Sequence, residues 1–236
     1  MLVPIISPSI FNTALETQAL DLEASSTQCL NISSANFGAY SSSAFSISCW
    51  VKRESLGNQY IAMGGITTGT MVFELGFDSS DHLFFNSYRF SGASDAEYVT
   101  TDSYTSTSDW YHILVHFDGS DEVRLWINGS RITSFSTSTP PFATLNNSDR
   151  RITIGALQSF SFLAPFDGLI YQMAFFSGSF PSISSLYDSG HPKDIRGVSG
   201  LYSLLDVAGG DVTSDYVLSA NWTNNNTVTA SSTIPA

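Results

Sequence analysis

The sequence predicts an all-β fold in which two antiparallel sheets pack against each other as a jelly-roll sandwich. Charged residues make up only 13% of the 236 residues, about half of the ~25% found in an average domain. Ser, Thr, Asn and Gly are abundant instead, which is typical of short strands joined by polar turns rather than of helical surfaces. Roughly a dozen strand-like stretches follow one another at short intervals, and this spacing is typical of a sandwich.

Strands are predicted wherever apolar and polar residues alternate with a period of two, because successive side chains of a strand point to opposite faces. The clearest early example is 45–52, which alternates throughout its length. In the first part of the chain the pattern predicts strands at 19–23, 29–32, 45–52, 60–64, 71–77, 82–85 and 97–101.

The stretch 110–135 carries the strongest local signal. Strands at 110–117 and 122–127 flank a polar turn, and Asn128-Gly129 predicts a two-residue turn because both residues tolerate positive φ. A further strand is expected at 131–135. The rest of the chain predicts a short helix at 182–187, after Pro181 and before Gly190, and strands at 151–155, 169–176, 201–205, 216–218 and 227–229.

Three regions follow from this pattern. Residues 1–18 contain two prolines and little periodicity, and are expected to form an N-terminal arm. Residues 19–190 hold the sandwich. Residues 191–236 are expected to form a C-terminal extension whose short strands pack on the sandwich.

The charge balance excludes some partners. Nine Lys and Arg against twenty-one Asp and Glu give a formal net charge of −12, and an acidic surface repels phosphate backbones, which excludes nucleic acid. No stretch approaches the ~18 apolar residues of a membrane span. The chain start lacks the basic and long apolar regions of a signal peptide, so we expect synthesis in a cytoplasm without export and no membrane partner.

The two cysteines are not expected to form a disulfide. Cys49 shares its strand face with Phe45, Ile47 and Val51, which predicts a small core residue. Cys29 precedes the apolar Leu30, so alternation turns its side chain outward as a partly exposed free thiol. The chain therefore shows no secreted disulfide framework.

Four stretches together resemble a known family. They are Ala-Leu-Asp-Leu at 19–22, Phe-Ser-Ile-Ser-Cys-Trp-Val-Lys at 45–52, the hairpin 110–129, and Ile-Thr-Ile-Gly at 152–155 followed by Phe-Asp-Gly-Leu-Ile at 166–170. In this order they resemble laminin-G-like domains of the concanavalin A-like lectin/glucanase superfamily. The resemblance spans 19–190 and implies the sandwich, but the superfamily includes lectins, glycan hydrolases, adhesion modules and virion proteins.

The carboxylate motif of the family's glycan hydrolases is absent. Those enzymes carry Glu-x-Asp-x-Glu or Glu-x-Asp-x-x-Glu on one strand face, which sets an acid and a nucleophile ~5–5.5 Å apart. The nearest pairs here are Asp95 with Glu97, in a polar region, and Asp21 with Glu23, which lack a third acidic residue. We predict that the protein is not an enzyme.

The histidines do not suggest a catalytic or zinc site. His112 and His116 lie four residues apart on one predicted strand and share a face. A zinc pair on a strand normally has i, i+2 spacing and further ligands. A polar partner on a neighbouring strand is expected for each histidine.

Calcium is the metal that the resemblance implies, because many laminin-G-like domains hold one at the sandwich rim. Clustered oxygen ligands could come from Asp78, Asp81, Asp118, Asp121 and Asp167, although Asp also favours turns without any metal. One departure weakens the implied site: the family often has Ile-Asp-Glu-Val after its Phe-x-Gly element, where this chain has Ile-Tyr-Gln-Met at 170–173.

Exposed aromatic side chains are the candidates for glycan contacts. Tyr88, Phe90, Tyr98 and Tyr104 lie in or beside the polar 87–109 segment and could stack on sugar rings. They could equally anchor a loop or a protein interface. The tryptophans Trp50, Trp110 and Trp126 are expected in the core.

The run 190–236 resembles C-terminal extensions on such domains in virion proteins of tailed phages. This resemblance implies a non-catalytic virion protein, most directly a capsid decoration protein bound to the major capsid protein or another virion protein on the virion surface. The alternative is a carbohydrate-binding or adhesion module, such as a tail-fibre component. Cell-surface glycans and copies of the same chain are further expected partners.

Overall fold

Two eight-stranded antiparallel sheets make up most of the computed structural model, so the all-β prediction is confirmed. The structure describes residues 17–32, 44–65, 72–88, 94–119, 122–139, 151–158, 162–178, 180–205, 207–218 and 221–236. Helical structure within these ranges is limited to a 3-10 turn, Ala24–Ser26, and one short helix, α1, Ile183–Leu186. No described helix is long and apolar enough to cross a membrane.

The strands follow the predicted alternation closely. Those of the N-terminal half are β1 (Ala19–Leu22), β2 (Cys29–Ile32), β3 (Phe45–Arg53), β4 (Gln59–Gly64), β5 (Phe73–Phe77), β6 (His82–Tyr88), β7 (Ser94–Ser103), β8 (Tyr111–Phe117), β9 (Val123–Ile127) and β10 (Ser130–Arg131). Those of the C-terminal half are β11 (Phe135–Thr139), β12 (Ile152–Ile154), β13 (Leu157–Gln158), β14 (Phe162–Leu163), β15 (Gly168–Ser177), β16 (Tyr187–Asp188), β17 (His191–Pro192), β18 (Leu201–Leu204), β19 (Thr223–Asn225) and β20 (Thr229–Ser231).

The sheets are built from strands that are far apart in the sequence. The first sheet has the order β10-β9-β8-β3-β15-β1-β20, with β18 also paired to β15, and the second has the order β11-β7-β6-β5-β4-β12-β2-β19. Two separate hairpins, β13 with β14 and β16 with β17, complete the strand pairing. The strands of the C-terminal region therefore pair within both sheets: β18 and β20 in the first and β19 in the second.

The main hydrophobic core lies between the two sheets. Phe45, Ile47, Cys49 and Val51 project into it from β3, so the predicted burial of Cys49 is confirmed. Trp222 of the C-terminal region is also part of this core and stacks on Phe175 at 6.5 Å between ring centroids. Burial of this apolar surface is the main contribution to folding stability.

The predicted burial is confirmed for Trp50 and Trp126, but none of the three tryptophans lies in the main core. Trp50 and Trp126 are buried, whereas Trp110 is half-buried. All three belong to smaller clusters, away from the core between the sheets. Alternation explains this, because Trp50 follows the inward-facing Cys49 and so points to the opposite face of the first sheet.

Three predicted strands are wrong in position. The stretch 131–135 is not one strand: β10 ends at Arg131 in the first sheet and β11 begins at Phe135 in the second, because the chain crosses between sheets there. Residues 216–218 form bends. The expected strand at 227–229 is replaced by β19 and β20, and Asn226 and Thr227 between them have φ values of 59° and 63°, which strands do not adopt.

The predicted Asn128-Gly129 turn is confirmed in detail. Asn128 and Gly129 have φ values of 48° and 77° and connect β9 directly to β10, as a primed hairpin turn requires. Gly168 begins β15 with φ 136°, and a Cβ added there would lie 2.2 Å from the Lys52 carbonyl oxygen. Only glycine allows this approach of β15 to β3.

The expected exposure of Cys29 is wrong. Its side chain lies outside the main core, as alternation predicts, but it is fully buried. The cause is the C-terminal strand β19: Asn225 pairs with Cys29 in the sheet, donates a hydrogen bond to its carbonyl oxygen at 3.4 Å and contacts its thiol. Both cysteines are free thiols, as predicted.

Candidate functional site

A depression of about 220 Å³ lies on the outer face of the second sheet. The term "sheet groove" is used below for this depression and its lining. The lining residues are Asn58, Tyr60, Asp78, Phe84, Asn86, Glu97 and Val99.

Strand alternation determines which side chains reach the sheet groove. In β6, Leu83 and Phe85 enter the main core, so the intervening Phe84 and the following Asn86 point outward. The same rule in β7 sends Tyr98 inward and Glu97 outward. The strand residues in the lining are therefore those whose side chains point away from the main core.

The register of the strands orders these side chains into two rows. One row crosses the sheet through Tyr60, Gly76, Phe84 and Val99, and is mainly aromatic and apolar. The second row runs through Glu74, Asn86 and Glu97 and is polar. Because the rows are two residues apart along each strand, they are separated by about 7 Å.

Gly76 makes the aromatic row compact. The Tyr60 and Phe84 rings meet edge to face with centroids 5.4 Å apart. A Cβ at Gly76 would lie 2.3 Å from the Gln59 carbonyl oxygen and 3.0 Å from the Phe84 ring. The absence of a side chain at Gly76 thus lets the Phe84 ring lie against the sheet.

Asn86 in the polar row has a buried acceptor without a described partner. Asn86 Nδ2 donates to Glu74 Oε2 at 3.3 Å, while Asn86 Oδ1 is buried and has no hydrogen-bond partner among the described residues. A buried acceptor without a donor is costly, so a ligand hydroxyl that reached Asn86 would be favoured. Burial, and then the charge of Glu74, raises the pKa of Tyr60 to about 12, so its hydroxyl remains a donor.

The two carboxylates that line the sheet groove differ in the hydrogen bonds that they already accept. Glu97 is exposed, and its carboxylate forms no hydrogen bond or ion pair with a described residue. Asp78 accepts hydrogen bonds from the backbone of Ser80 and from both the backbone and the ring of His82. Burial alone would raise the pKa of Asp78, but these hydrogen bonds bring it below the usual value. The Asp78 carboxylate is therefore ionised, and most of its hydrogen-bonding capacity is taken up within its own turn.

The aromatic residues proposed for glycan contacts are placed differently. Tyr98 is only 6% exposed and packs edge to face on Phe135. Tyr104 is half-buried beside Phe77 and Tyr111. Tyr88 ends β6, but its side chain, like all of Phe90, lies outside the described residues. Sequence reasoning missed Tyr60 and Phe84, although an aromatic residue on the polar face of β6 was the available signal.

No three of the described candidate calcium ligands bring carboxylate oxygens within 4.8 Å of one another. Asp81 accepts hydrogen bonds from Arg53 and Gly57, Asp118 accepts one from the Glu122 backbone, and Asp167 accepts one from the Ala24 backbone. Asp121 lies outside the described residues. These Asp side chains therefore stabilise turns and loop connections, and the cation beside Asp81 is the Arg53 guanidinium.

A different acidic cluster has the spacing of a metal site. Carboxylate oxygens of Asp21, Glu23 and Glu54 lie within 4.8 Å of one another. Burial, and then the charges of Asp21, Glu23 and Asp167, raises the pKa of Glu54. Three clustered carboxylates suit a hard cation such as calcium, and calcium bound there would relieve their repulsion. Asp21 and Glu23 share a strand face in the sequence, but only the sheet brings Glu54 to them.

Both histidine predictions are confirmed. His116 Nδ1 lies 2.9 Å from Ser46 Oγ and His112 Nε2 lies 3.1 Å from Ser48 Oγ, both across the β3–β8 pairing. Burial lowers the pKa of His112 to about 3. These side chains are neutral structural groups of the first sheet.

One protein family matches most of the sandwich. The family model described as the concanavalin A-like lectin/glucanases superfamily matches residues 25–182. No protein with a curated description matches the sequence.

Solved structures share the fold at low sequence identity. A candidate carbohydrate-binding protein from Bacteroides ovatus has a TM-score of 0.67 and 16% identity over 94% of this chain, which spans 62% of that protein. A heptameric SAP-like pentraxin from Limulus polyphemus has a TM-score of 0.59 and 12% identity, covering 92% of this chain and 95% of the pentraxin. The extracellular region of zebrafish Gpr126/Adgrg6 has a TM-score of 0.53 and 14% identity, covering 91% of this chain and 26% of that region.

Proposed function

The chain belongs to the concanavalin A-like lectin/glucanase superfamily, and we propose from this premise that it is a non-catalytic carbohydrate-binding domain. The proposed contact surface is the sheet groove. The fold alone does not assign this function, since the superfamily hosts several activities. The proposal therefore rests on the chemistry of the groove.

The observation that carries the proposal is the pair of rows across the second sheet. Sugars have apolar ring faces and a rim of hydroxyls, so they bind where an aromatic surface adjoins amide and carboxylate groups. Tyr60 supplies the accessible aromatic surface and packs on the Phe84 ring, which is itself only 6% exposed. Asn86 and Glu97 supply the polar groups. The spacing of about 7 Å between the rows lets one sugar contact both.

The carboxylates of the sheet groove favour binding over hydrolysis. A retaining or inverting hydrolase needs an acid and a second carboxylate, both of which reach the substrate. Asp78 is ionised and its carboxylate already accepts three hydrogen bonds within its own turn, so it suits neither a general acid nor a free nucleophile or base. Glu74 is only 4% exposed and hydrogen-bonds Asn86. Among the described lining carboxylates, Glu97 is left without a suitable second group.

Removing the Tyr60 ring tests the proposal. A glycan array identifies a bound glycan, and titration calorimetry then compares the wild type with Tyr60→Ala. We expect at least about tenfold weaker binding, because an aromatic contact contributes about 1.4 kcal/mol or more. Tyr216→Ala is the matched control, because Tyr216 is 51% exposed and lies outside the groove. Absence of binding to every glycan, or equal losses in both variants, would refute the proposal.

Attachment to a virion is a second candidate function. We propose, as the resemblance of the C-terminal run implies, that the protein decorates a phage capsid and lies on the virion surface. The observation in its favour is a set of exposed apolar side chains, Phe180, Tyr216 and Val217, beside Val198, because such patches mark protein contacts. Co-sedimentation with assembled capsids is expected to fall when Phe180 and Tyr216 are changed to Ser, and unchanged sedimentation would count against the role.

A further inference from the structure

The sheet groove is acidic as well as aromatic. Resting on the proposed carbohydrate-binding function, we infer that it selects glycans without an acidic group and favours a sugar that carries an ammonium group next to Glu97. Neither the family nor the fold assigns the charge class of the ligand.

The polar row supplies the negative charge. Glu74, Asn86 and Glu97 lie side by side on three adjacent strands, so neighbouring members are about 4.8 Å apart. Asp78 adds a further carboxylate to the lining. An acidic sugar on the Tyr60 ring would bring its carboxylate towards the polar row, about 7 Å away, where like charges repel.

The described lining contains no Lys or Arg, and four described arginines form ion pairs outside it. Arg53 is buried against Asp81, Arg124 and Arg131 both pair with Glu122, and Arg196 pairs with Asp194. His82 contacts the lining residue Asp78 and is paired with it. The whole chain also has a negative net charge of −12.

Glu97 is the carboxylate that can form an ion pair with a cationic ligand. It is exposed, no described residue pairs with it, and it lies directly across from Asn86 with its unused acceptor. An ammonium group at this position would donate to the Glu97 carboxylate. Charge-assisted hydrogen bonds of this kind are about twice as strong as neutral ones, so an amino sugar gains more here than a neutral one.

A glycan array with matched triplets tests the inference: each neutral oligosaccharide stands beside its amino-sugar counterpart and beside a sialylated or uronic acid counterpart. For the wild type we expect the acidic member to bind roughly tenfold more weakly than the neutral member at low salt. The amino member is expected to bind most tightly, and the differences are expected to shrink as the salt concentration rises.

Two charge-reversal variants localise the effect. Glu97→Lys is expected to reduce amino-sugar binding and to restore binding of the acidic member. Asp188→Lys makes the same change of charge at an exposed residue of the β16–β17 hairpin and is expected to keep the wild-type order. Thermal melting of both variants verifies that they are folded.

The outcomes separate the two claims. Binding of acidic glycans as tightly as their neutral counterparts would overturn the charge selectivity while leaving carbohydrate binding intact. An equal change of order in Glu97→Lys and Asp188→Lys would show that net charge acts rather than the groove, and would also overturn it. Absence of binding to every member of the array would overturn the proposed function itself.

Discussion

Arg53 Nη2 lies 2.8 Å from Asp81 Oδ1, and the Arg53 side chain is completely buried. The guanidinium also donates to Gln59 Oε1 and to the carbonyl oxygens of Gly57 and Tyr104, and it lies over the Phe77 ring at 4.3 Å from the centroid. The pair therefore joins the end of β3 to the turn between β5 and β6, across the two sheets. Asp81 has φ 63°, which Asp tolerates in a turn.

Asp81→Asn is expected to destabilise the protein by about 3–5 kcal/mol, because it leaves a buried guanidinium without its counter-charge. Asn also tolerates positive φ, so the backbone conformation is retained. Glu122→Gln is the matched control: Glu122 pairs with Arg124 and Arg131 at the surface, where ion pairs contribute less than about 1 kcal/mol. Urea unfolding measures both, and similar losses in the two variants would contradict the central role of the buried pair.

Gly168→Ala is expected to cost about 2–3 kcal/mol or to prevent folding. The new Cβ would lie 2.2 Å from the Lys52 carbonyl oxygen at a φ of 136°, so steric conflict adds to backbone strain. Gly190→Ala shares the positive φ but has no atom within 4 Å of its Cβ, and we expect a loss of only about 1 kcal/mol. Equal losses by thermal or urea unfolding would show that only φ matters at Gly168.

His112 is expected to make the protein less stable as the pH falls from 7 to 5. Its pKa is about 3 in the folded protein, because burial disfavours the charged ring, against an ordinary value of 6.5. In this pH range the unfolded chain binds a proton that the folded chain does not, so stability falls by about 2 kcal/mol from this group. We expect His112→Gln to lose that part of the slope, measured by urea unfolding at both pH values.

The matched control for the pH slope is His191→Gln, because His191 is exposed in the β16–β17 hairpin. We expect this variant to retain the wild-type difference between pH 7 and pH 5. A His112→Gln protein whose stability falls just as steeply would show that other groups dominate the acid response.

Neither cysteine is expected to react with a thiol reagent in the folded protein at pH 8. Both are fully buried, and burial raises the pKa of Cys29 to about 12 and also raises that of Cys49. The thiolate is the reactive form. In guanidinium chloride both thiols are expected to react, and rapid modification of one thiol in the native protein would contradict the burial of Cys29.

Calcium is expected to raise the melting temperature through Asp21, Glu23 and Glu54. Burial and the neighbouring carboxylates raise the pKa of Glu54, so ionised Glu54 opposes folding at pH values above its ordinary pKa of 4.5. A bound cation would offset the repulsion between the carboxylates. Glu54→Gln is expected to melt higher than the wild type in EDTA and to lose the calcium shift. Asp188→Asn is the surface control, and an equal calcium shift in wild type and Glu54→Gln would place calcium elsewhere.

Local patterns were enough to predict most strands. The alternation at 45–52 corresponds to β3, and the Asn128-Gly129 turn has the backbone angles that its residues favour. The same reasoning succeeded for Cys49, because one strand face is buried as a unit. It failed at 131–135, where the chain passes from one sheet to the other.

The candidate site was less predictable, because its members are distant in sequence. Tyr60 and Phe84 meet only because β4, β5 and β6 are neighbours in the second sheet. Glu54 reaches Asp21 and Glu23 because β3 and β1 both pair with β15. Tyr98 was a plausible glycan contact in the sequence, but its strand face turns it into the core.

Local patterns are sufficient to predict the all-β class, the main strands and the Asn128-Gly129 turn, because periodicity and the steric demands of glycine and asparagine act over a few residues. The order in which the strands become neighbours follows from tertiary packing. That order covers Cys29 with β19, surrounds Arg53 with acceptors from separate loops, and aligns an aromatic and a polar row across the second sheet. Such contacts depend on the packing of two whole sheets, which no local pattern encodes.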